Sequence, residues 1–489
     1  MKKTKINKTV FLTGATGHMG WAGFQELYKR KNRFNITLLA RPSKKNRKLL
    51  APYANDPSVK IVWGDLMNYN DVLEGVSGAD YVLHVGGMVS PQADYYPEKT
   101  LEVNVKAAEH VVQAILEQPD KDNIRAVYIG SVAQCGDRLS PVHWGRTGDP
   151  VYASSYDKYS VSKCIAEKIF SDSGLKRWVS LRQSGILYPE IMKNIDPIVF
   201  HVPIRGVLEW ATIEDSGRLL ANVCGDDVPE EFWNRFYNIG SGEQYRLTNY
   251  DFESRLLSAL GLDIEKVFEP QWFATRNFHG MWYLDSDVLE NYLHFRENVP
   301  VDDYFRRLVS SLPWYYSLAR FVPSALVKKF MKPLTEVRDL GSQYWIKHDP
   351  DRVKAFYGSM EEYLGIRSWD QLRPGHMEKN LQQAVKKGEA VILNHGYDTS
   401  RQIYSLSAEE VENAARFRGG HFIGPADRLG QKGVLFEWEC EHGHRFSASL
   451  EYVLLGGGWC NSCDLSAVRE HVTPRNRFIW QVLTGQYLE

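Results

Sequence analysis

Tyr159 and Lys163, four residues apart in this 489-residue chain, form a pair whose types and spacing suggest acid–base chemistry. On a helix, side chains at this spacing share one face, so the phenol and the ammonium are predicted to be neighbours. A phenol has a pKa of roughly 10, and a nearby ammonium lowers that pKa, which would let Tyr159 transfer a proton near neutral pH. Ser131 is predicted to hydrogen-bond the reacting oxygen. Because the chain has 26 tyrosines, the pair alone has little specificity.

A second group of reactive side chains lies near the C-terminus. One cysteine and one histidine precede a Cys-x-x-Cys pair by a spacer of fifteen residues, which is a spacing typical of structural zinc sites. The predicted zinc ligands are Cys440, His444, Cys460 and Cys463. His442 is the rival ligand, but it lies very close to Cys440, whereas Gly443 permits a tight turn that folds His444 back. These four ligands would leave no open position, so the zinc is predicted to be structural.

A glycine-rich stretch, TGATGHMG, follows the first apolar run of the chain. Glycine is needed where the backbone approaches a pyrophosphate closely, and a helix N-terminus offers free N–H groups to the phosphates. Glycine spacing alone often marks only a turn, but its place after a first strand and before a helix predicts a dinucleotide site. The predicted cofactor contacts here are Gly14, Thr16, Gly17, His18, Met19 and Gly20.

These residues require a scaffold of strands and helices that brings them together. Short apolar runs alternate with helical patterns such as residues 105–117 over the first 290 residues. The predicted strands are residues 9–13, 36–40, 59–63, 81–85, 126–129 and 178–181. This order predicts an α/β fold, a Rossmann-like doubly wound parallel sheet with a small substrate-binding lobe.

The end of the second predicted strand indicates which dinucleotide binds. An NAD site places Asp or Glu there to hold the ribose 2′-hydroxyl, but this chain has Arg41 followed by Lys44 and Lys45. A guanidinium pairs with a 2′-phosphate in a forked geometry, which favours NADP. NAD is the alternative cofactor, and a solvated basic loop is the alternative interpretation of these residues.

Taken together, these pieces resemble the extended short-chain dehydrogenase/reductase superfamily, also called the NAD-dependent epimerase/dehydratase family, over about residues 8–290. The matching stretches, in order, are TGATGHMG, Gly64-Asp65-Leu66, HVGG at residues 84–87, Asn104-Val105, Ser131, the Tyr159/Lys163 pair, LRQSGILYP at residues 181–189 and Asn238-Ile239-Gly240-Ser241-Gly242. So many pieces in order are hard to produce by chance.

The resemblance implies further roles for particular residues. Asp65 and Leu66 would contact the adenine end of the cofactor, Gly86 and Gly87 would line its path, and Lys163 would also hydrogen-bond the nicotinamide ribose. The structural alternatives are a loop cap for Asp65 and a tight strand exit for the two glycines.

One departure from the family pattern bears on the substrate. Many sugar-nucleotide members carry Asn near a Tyr-Gly-Pro turn after the sixth strand, whereas Gly185 stands at the Asn position here and Tyr188 runs directly into Pro189. We therefore predict an NADP-dependent oxidoreductase that interconverts a carbonyl and an alcohol on a small molecule, with apolar molecules among the candidates. The alternatives are a sugar-nucleotide epimerase or dehydratase with tightly held NAD(P), and an NADP-sensing scaffold protein.

Three domains are predicted: residues 1–290 form the dehydrogenase, 291–405 a helical extension and linker, and 406–489 the zinc-binding domain. The last resembles small zinc-ribbon or treble-clef modules. Within the extension, residues 314–331 mix aromatic and basic residues, which suits either an amphipathic lid or membrane-surface helix or a helix packed on the main domain.

The bulk composition excludes several classes of protein. The net charge of −1 gives no basic field for nucleic acid, so no nucleic-acid partner is expected. No stretch has the length of a signal peptide core or a transmembrane helix, so a cytoplasmic protein is expected. Six cysteines in so long a chain do not suggest a disulfide framework. A homodimer remains open.

Overall fold

A central parallel sheet carries the first half of the chain in the computed structural model, which describes residues 7–193, 195–374, 376–466 and 472–485. Its seven strands lie in the order β11-β7-β5-β4-β1-β2-β3, and every neighbouring pair is parallel. They are β1 Lys8–Thr13, β2 Phe34–Ala40, β3 Val59–Trp63, β4 Tyr81–His84, β5 Arg125–Ser131, β7 Arg177–Gln183 and β11 Arg235–Ile239. The predicted doubly wound α/β fold is confirmed.

Alternation along each strand explains why both faces of the sheet are covered. In β1, Val10 and Leu12 belong to one apolar core, and Phe11 belongs to the core on the opposite face. Successive side chains of a strand point to opposite faces, so a run of buried apolar residues needs helices on both sides. The helices packed around this sheet are α1 His18–Lys29, α2 Lys44–Leu50, α3 Tyr69–Val76, α4 Gln92–Tyr95, α5 Pro97–Leu116, α6 Lys158–Ser171, α7 Ile213–Asn222 and α10 Ser286–Leu293.

Helix α5 begins at Pro97, eight residues before the predicted start at 105. Proline is favoured at the first helical position because its missing N–H needs no partner there. Helix α6 begins after Asp157, whose carboxylate accepts a hydrogen bond from the Ser160 N–H at 2.8 Å. This cap fixes the start of the helix that carries Tyr159 and Lys163.

A smaller lobe and a helical extension complete the first 387 residues. Short strand pairs build the lobe: β6 Trp144–Gly145, β8 Ile186–Leu187, β9 Val207–Glu209, β10 Ala211–Thr212, β12 Arg246–Thr248 and β13 Trp282–Tyr283. The remaining helices of this part are α8 Asn249–Ala259, α9 Ile264–Val267, α11 Val301–Ser310, α12 Ser324–Met331, α13 Ser342–His348, α14 Pro350–Tyr357, α15 Met360–Gly365 and α16 His376–Lys387.

Residues 314–331 do not form one continuous helix. A 3-10 helix, Trp314–Phe321, is followed by α12, and Pro323 stands between them as the N-cap of α12. A proline restricts the preceding residue to extended conformations, so a helix usually ends before it.

The C-terminal unit, residues 406–485, is a three-stranded antiparallel sheet with helices. Its elements are α17 Ala408–Phe417, β14 His421–Gly424, β15 Leu435–Glu439, β16 Arg445–Ser449, α18 Asn461–Ser466 and α19 Arg477–Thr484. Phe436, Trp438 and Tyr452 lie fully buried in its own apolar core. Within the part of the chain that the structure describes, no helix is long and apolar enough to cross a membrane.

Candidate functional site

The glycine-rich loop joins β1 to α1. It leaves no room for a side chain at Gly14, and the first turn of α1 leaves none at Gly20. Gly14 has φ of +71°, and a Cβ there would lie 2.7 Å from the backbone of Gly86. A Cβ on Gly20 would lie 2.2 Å from the Gly14 carbonyl oxygen. The N-terminus of α1 begins at His18, directly after this loop. The loop and the helix end therefore form the cradle that a dinucleotide diphosphate requires.

The residues that follow β4 are hydrogen-bonded to the end of β1, where the same loop begins. The Thr13 hydroxyl accepts hydrogen bonds from the N–H groups of Val85 at 3.1 Å and Gly86 at 3.0 Å. A Cβ on Gly86 would lie 2.7 Å from the Leu66 side chain. A Cβ on Gly87 would lie 2.8 Å from the Asn104 side-chain oxygen. The structure thus brings Leu66 and Gly86 to the glycine loop, as the predicted cofactor path requires.

Asp65 and Arg41 occupy the ends of neighbouring strands. One Asp65 carboxylate oxygen accepts a hydrogen bond from the Met67 N–H at 3.0 Å, so this side chain caps its own loop. Arg41 is exposed just beyond β2, and its carbonyl accepts a hydrogen bond from the Asn46 side chain at 2.9 Å. The Arg41 side chain is therefore exposed at the end of β2, the strand end where the ribose is predicted to bind.

Ser131, Tyr159 and Lys163 meet where β5 ends against α6. Ser131 is the last residue of β5, and it is 6% exposed. The Lys163 ammonium is also buried and donates a hydrogen bond to the Ile129 carbonyl at 2.8 Å. It lies 5.9 Å from the centre of the Tyr159 ring. The carboxyl end of β5 and helix α6 therefore place an ammonium, a phenol and a hydroxyl together.

The proton affinities of this trio differ from the sequence prediction. Burial raises the pKa of Tyr159 to about 12, although a hydrogen bond with Ser131 lowers it in part. Burial lowers the pKa of Lys163 to about 8, against the field of Glu167, which raises it. Burial therefore sets the net pKa of Tyr159 above its ordinary value, whereas the spacing to Lys163 predicted a lowered one.

Comparison with known families identifies the part of the chain that holds these features. Residues 10–179 match the NAD dependent epimerase/dehydratase family. We call this matching segment, residues 10–179, the epimerase/dehydratase domain. It contains the glycine loop, the exit of β4, Ser131, Tyr159 and Lys163, so the predicted family resemblance is confirmed for this part of the chain.

Known relatives resemble the epimerase/dehydratase domain over a limited length. UDP-glucose 4-epimerase of Rickettsia bellii (strain RML369-C) is 31% identical over 113 residues, which are 22% of this chain and 33% of the relative. The enzyme of Rickettsia massiliae (strain Mtu5) is 30% identical over 115 residues. The chain thus matches about a third of the length of these curated relatives.

Solved structures share the fold over a longer part of the chain. The dTDP-glucose 4,6-dehydratase of Streptomyces venezuelae, with NAD and TYD bound, has a TM-score of 0.51 at 21% identity, covering 67% of this chain and 99% of its own. The dTDP-glucose 4,6-dehydratase of Bacillus anthracis str. Ames, in complex with NAD, has a TM-score of 0.50 at 16% identity, with coverage of 67% and 99%. At these identities the likeness concerns the fold.

A cavity of about 600 Å³ adjoins the epimerase/dehydratase domain. Most of its wall is aliphatic or aromatic, but Asp137, Arg138, Glu253 and His279 also line it. Asp137 and Arg138 belong to the loop that follows Ser131. His279 lies 3.5 Å from Asp157, the cap of α6. Asp137, Arg138 and His279 therefore come from segments close to the trio, whereas Glu253 comes from α8.

Gly185 shows why a larger residue is excluded from the wall of this cavity. A Cβ at this position would lie 2.7 Å from Leu208 and from the Trp210 ring. Trp210 stacks on Phe252 with ring centres 4.2 Å apart, and all four residues line the cavity. Where sugar-nucleotide members carry Asn, this chain packs an apolar wall.

The four predicted metal ligands converge in the C-terminal unit, although they come from two separate segments. The ligand atoms of Cys440, His444, Cys460 and Cys463 all lie within 4.8 Å of one another. The sulfur atoms of Cys440 and Cys463 are 3.7 Å apart, and Nδ1 of His444 is 3.6 Å from the Cys460 sulfur. Zinc bonds of about 2.0–2.3 Å in a tetrahedron imply ligand separations of roughly 3.5–3.8 Å. The donor set therefore fits zinc.

The turn between β15 and β16 brings His444 back to Cys440. The Cys440 N–H donates to the His444 carbonyl at 3.0 Å, and the Gly443 N–H donates to the Cys440 carbonyl at 2.9 Å. Gly443 has φ of +75°, in the left-handed region that favours glycine. His442 is outside the group of four ligands.

The C-terminal unit binds directly to helix α6 of the epimerase/dehydratase domain. The Lys168 ammonium donates to the Ser447 carbonyl at 2.7 Å, and the Ser449 hydroxyl donates to the Asp172 carboxylate at 2.6 Å. The Val151 N–H also donates to the Gly457 carbonyl at 3.0 Å. Strand β16 of the C-terminal unit thus contacts the C-terminal end of α6, the helix that carries Tyr159 and Lys163.

The segment 386–401, which belongs to the predicted helical extension and linker, is partly buried in this contact. His395 is 3% exposed, and its Nε2 lies 2.8 Å from the Asp149 carboxylate. The side chain of Gln481 in α19 accepts a hydrogen bond from the Asn394 N–H at 2.9 Å. No feature of the sequence predicts these contacts, because a polar stretch without periodicity is typical of a loop whether or not it is buried.

Proposed function

We propose that this chain is an NADP-dependent oxidoreductase that interconverts a carbonyl and an alcohol on a small molecule. The observation that carries the proposal is the convergence of Ser131, Tyr159 and Lys163 at the end of β5, in the same domain as the glycine cradle. A protein that only sensed the cofactor would have no need of a buried phenol beside a hydroxyl and an ammonium. The scaffold alternative is therefore disfavoured.

The proposed roles follow from the charges of the trio. With a pKa of about 12, Tyr159 holds its proton at neutral pH, which suits it to donate that proton to a carbonyl oxygen during reduction. Ser131 hydrogen-bonds the same oxygen and orients it. The Lys163 ammonium, fixed by the Ile129 carbonyl, stabilises the phenolate left behind. When bound, NADP supplies or accepts the hydride.

The choice of NADP rests on Arg41, which is exposed at the end of β2 where an NAD site has a carboxylate. The guanidinium would pair with a 2′-phosphate, with Lys44 and Lys45 close by in the chain. The solved structures named above contain NAD, so NAD is the alternative. Gly14, Thr16, Gly17, His18, Met19 and Gly20 would hold the diphosphate, while Asp65, Leu66, Gly86 and Gly87 would line the rest of the path.

The proposed substrate has a polar reacting end and an apolar body. The aliphatic and aromatic wall of the cavity supports this class, and so does the close packing of Gly185 against Trp210. Epimerisation or dehydration of a sugar nucleotide is the second candidate, favoured by the names of the relatives. A sugar diphosphate would have to place hydroxyl and phosphate groups in a cavity whose wall is mostly apolar, which costs free energy wherever they lack a polar partner.

For the C-terminal unit we propose a structural zinc ion held by Cys440, His444, Cys460 and Cys463. Reduced cysteines suit a cytoplasmic protein, which is the location that we propose. We keep the domain boundaries predicted above, with the dehydrogenase at 1–290, the extension at 291–405 and the zinc domain at 406–489.

Turnover in a substrate screen tests the proposed activity. Purified protein is mixed with NADPH and a panel of ketones and aldehydes of increasing chain length, and absorbance of the reduced cofactor is followed. UDP-glucose and dTDP-glucose are tested in parallel for epimerised or dehydrated products. We expect NADPH consumption that increases with the apolar length of the carbonyl compound. Conversion of a sugar nucleotide alone, with no NADPH consumed, would establish the second candidate instead.

A further inference from the structure

Residues 314–331, called here the aromatic segment, expose an unusual amount of apolar surface. Of the twenty large hydrophobic side chains exposed in the described chain, seven lie in this segment. They are Trp314, Tyr315, Leu318, Phe321, Val322, Leu326 and Phe330. Trp314 and Phe321 are the most exposed, at 77% and 76%. A contiguous apolar surface of this kind marks an interaction site.

The charged residues within the aromatic segment and next to it in the chain are all basic. Between residues 310 and 335 the chain contains four basic residues and no acidic one. The four are Arg320, Lys328, Lys329 and Lys332. Lys329 and Lys332 are exposed, while Lys328 forms an ion pair with Glu269 at 2.6 Å. Aromatic side chains mixed with lysine and arginine are typical of segments that lie in the interface of an anionic bilayer.

The inner side of the aromatic segment lines the cavity of about 600 Å³ that we propose binds the substrate. Tyr316, Ala319, Val327 and Met331 line that cavity together with Ile198 and Phe268. Phe330 lines it as well and is still 64% exposed. One short segment therefore separates an apolar cavity from an apolar outer surface. An apolar molecule dissolved in a bilayer would meet this segment first.

We infer that the aromatic segment docks the protein on the surface of an anionic membrane. The exposed aromatic side chains enter the interface, and the lysines pair with lipid phosphates. This inference deepens the proposed function and rests on it only for the substrate, an apolar carbonyl or alcohol that reaches the cavity from the bilayer. The docking itself involves no catalytic residue.

Vesicle flotation with the full-length protein tests the docking. We use vesicles of phosphatidylcholine alone and vesicles of phosphatidylcholine with phosphatidylglycerol at a ratio of about three to one. We expect binding to the anionic vesicles that weakens as salt is added, because screening reduces the attraction of the lysines. The double variant Phe321→Ser/Leu326→Ser loses two exposed apolar side chains, and we expect its partition coefficient to fall roughly tenfold or more.

Two matched variants complete the experiment. Leu364→Ser removes an apolar side chain that is 59% exposed outside the segment, nearly the same as the 58% of Leu326, and should bind like the wild type. Lys329→Glu/Lys332→Glu should weaken binding to anionic vesicles several-fold and leave the weak binding to neutral vesicles unchanged.

Two results would overturn the inference. One is the absence of binding to the anionic vesicles, and the other is equal loss of binding in the Leu364 and Phe321/Leu326 variants. A wild-type dimer that Phe321→Ser/Leu326→Ser converts to a monomer would assign the surface to a second copy of the chain instead. None of these readouts needs turnover, so failure of the docking is distinguishable from failure of the proposed activity.

Discussion

Arg182 of β7 and Glu167 of α6 form an ion pair in which neither side chain has any exposed surface, with nitrogen and oxygen 2.6 Å apart. The same guanidinium donates to the Gly456 carbonyl of the C-terminal unit at 2.6 Å. Glu167 stands four residues after Lys163, on the same face of the same helix. Arg182 thus contacts both the C-terminal unit and α6, the helix that carries the proposed acid–base residues.

Replacing Arg182 by Leu should strongly destabilise the protein. The change leaves the Glu167 carboxylate buried without its cation, which typically costs about 3–5 kcal/mol. Urea unfolding measures the loss. The control is Arg177→Leu on the same strand, where the exposed pair with Glu230 is worth about 1 kcal/mol or less. Similar losses in both variants would show that the buried pair has no special weight.

Replacing Tyr159 by Phe should reduce turnover by about 10²–10⁴-fold, because the variant has no proton to transfer to the substrate oxygen. Cofactor binding, followed by fluorescence titration, should change little. Tyr156→Phe removes a hydroxyl three residues earlier, on an exposed side chain, and should retain wild-type activity. Full activity in Tyr159→Phe would mean that another group transfers the proton.

Replacing Arg41 by Ala should weaken NADP(H) binding by roughly tenfold or more, since a charge-assisted contact with the 2′-phosphate is lost. The affinity for NAD(H), which has no such phosphate, should stay the same. Calorimetric titration of both cofactors checks this. Arg47→Ala is the control, because that guanidinium lies over the Trp63 ring, 4.7 Å from its centre. The NADP assignment is wrong if the wild type binds NAD(H) as tightly as NADP(H) and if Arg41→Ala changes neither affinity.

The metal cluster should contain one zinc per chain, and Cys460→Ser should abolish its binding. Binding energy of the metal supplies folding energy to a unit this small, so its loss should unfold the region after residue 406. Because Ser447, Ser449 and Gly456 are hydrogen-bonded to α6 or β7, we expect the unfolding of the epimerase/dehydratase domain also to shift to lower urea concentration.

His442→Ala provides the control for the metal experiment, since its ring lies outside the four ligands. This variant should keep its zinc and its unfolding midpoint. Metal analysis of protein purified without chelators gives the stoichiometry. A zinc-free wild-type protein would refute the assignment.

Glu253 predicts a specific dependence of stability on pH. Burial raises the pKa of this cavity carboxyl to about 8, from 4.5 in the unfolded chain. Below pH 4.5 both states hold the proton, but above it the unfolded state ionises while the folded state must keep its proton, so the folded state is progressively destabilised as pH rises from about 4.5 to 8. Glu253→Gln should be as stable as wild type at pH 4 and more stable by roughly 3 kcal/mol at pH 7. Unfolding midpoints that differ equally at both pH values would contradict this assignment.

Sequence alone was sufficient wherever the signal is local. The strands of the sheet alternate with helices, and six of the seven were predicted because their apolar residues are contiguous and bounded by turns, while β11 was not among the predicted strands. The glycine loop was recognisable because glycine spacing reflects backbone conformation at the same positions. The four metal ligands were recognisable because a hairpin turn and a Cys-x-x-Cys turn each place two ligands together within a few residues.

The tertiary structure decided what depends on burial and on distant partners. The pKa of Tyr159 is raised because α6 packs on β5 and removes water, which the spacing to Lys163 does not reveal. Arg182 reaches a carbonyl 274 residues later in the chain, and Asp149 pairs with His395 after 246 residues. The aromatic segment lies with one side on a cavity and the other in solvent because α9 and the lobe cover only the inner side. Amphipathic patterning shows that a segment has two faces, and only packing determines which face is left uncovered.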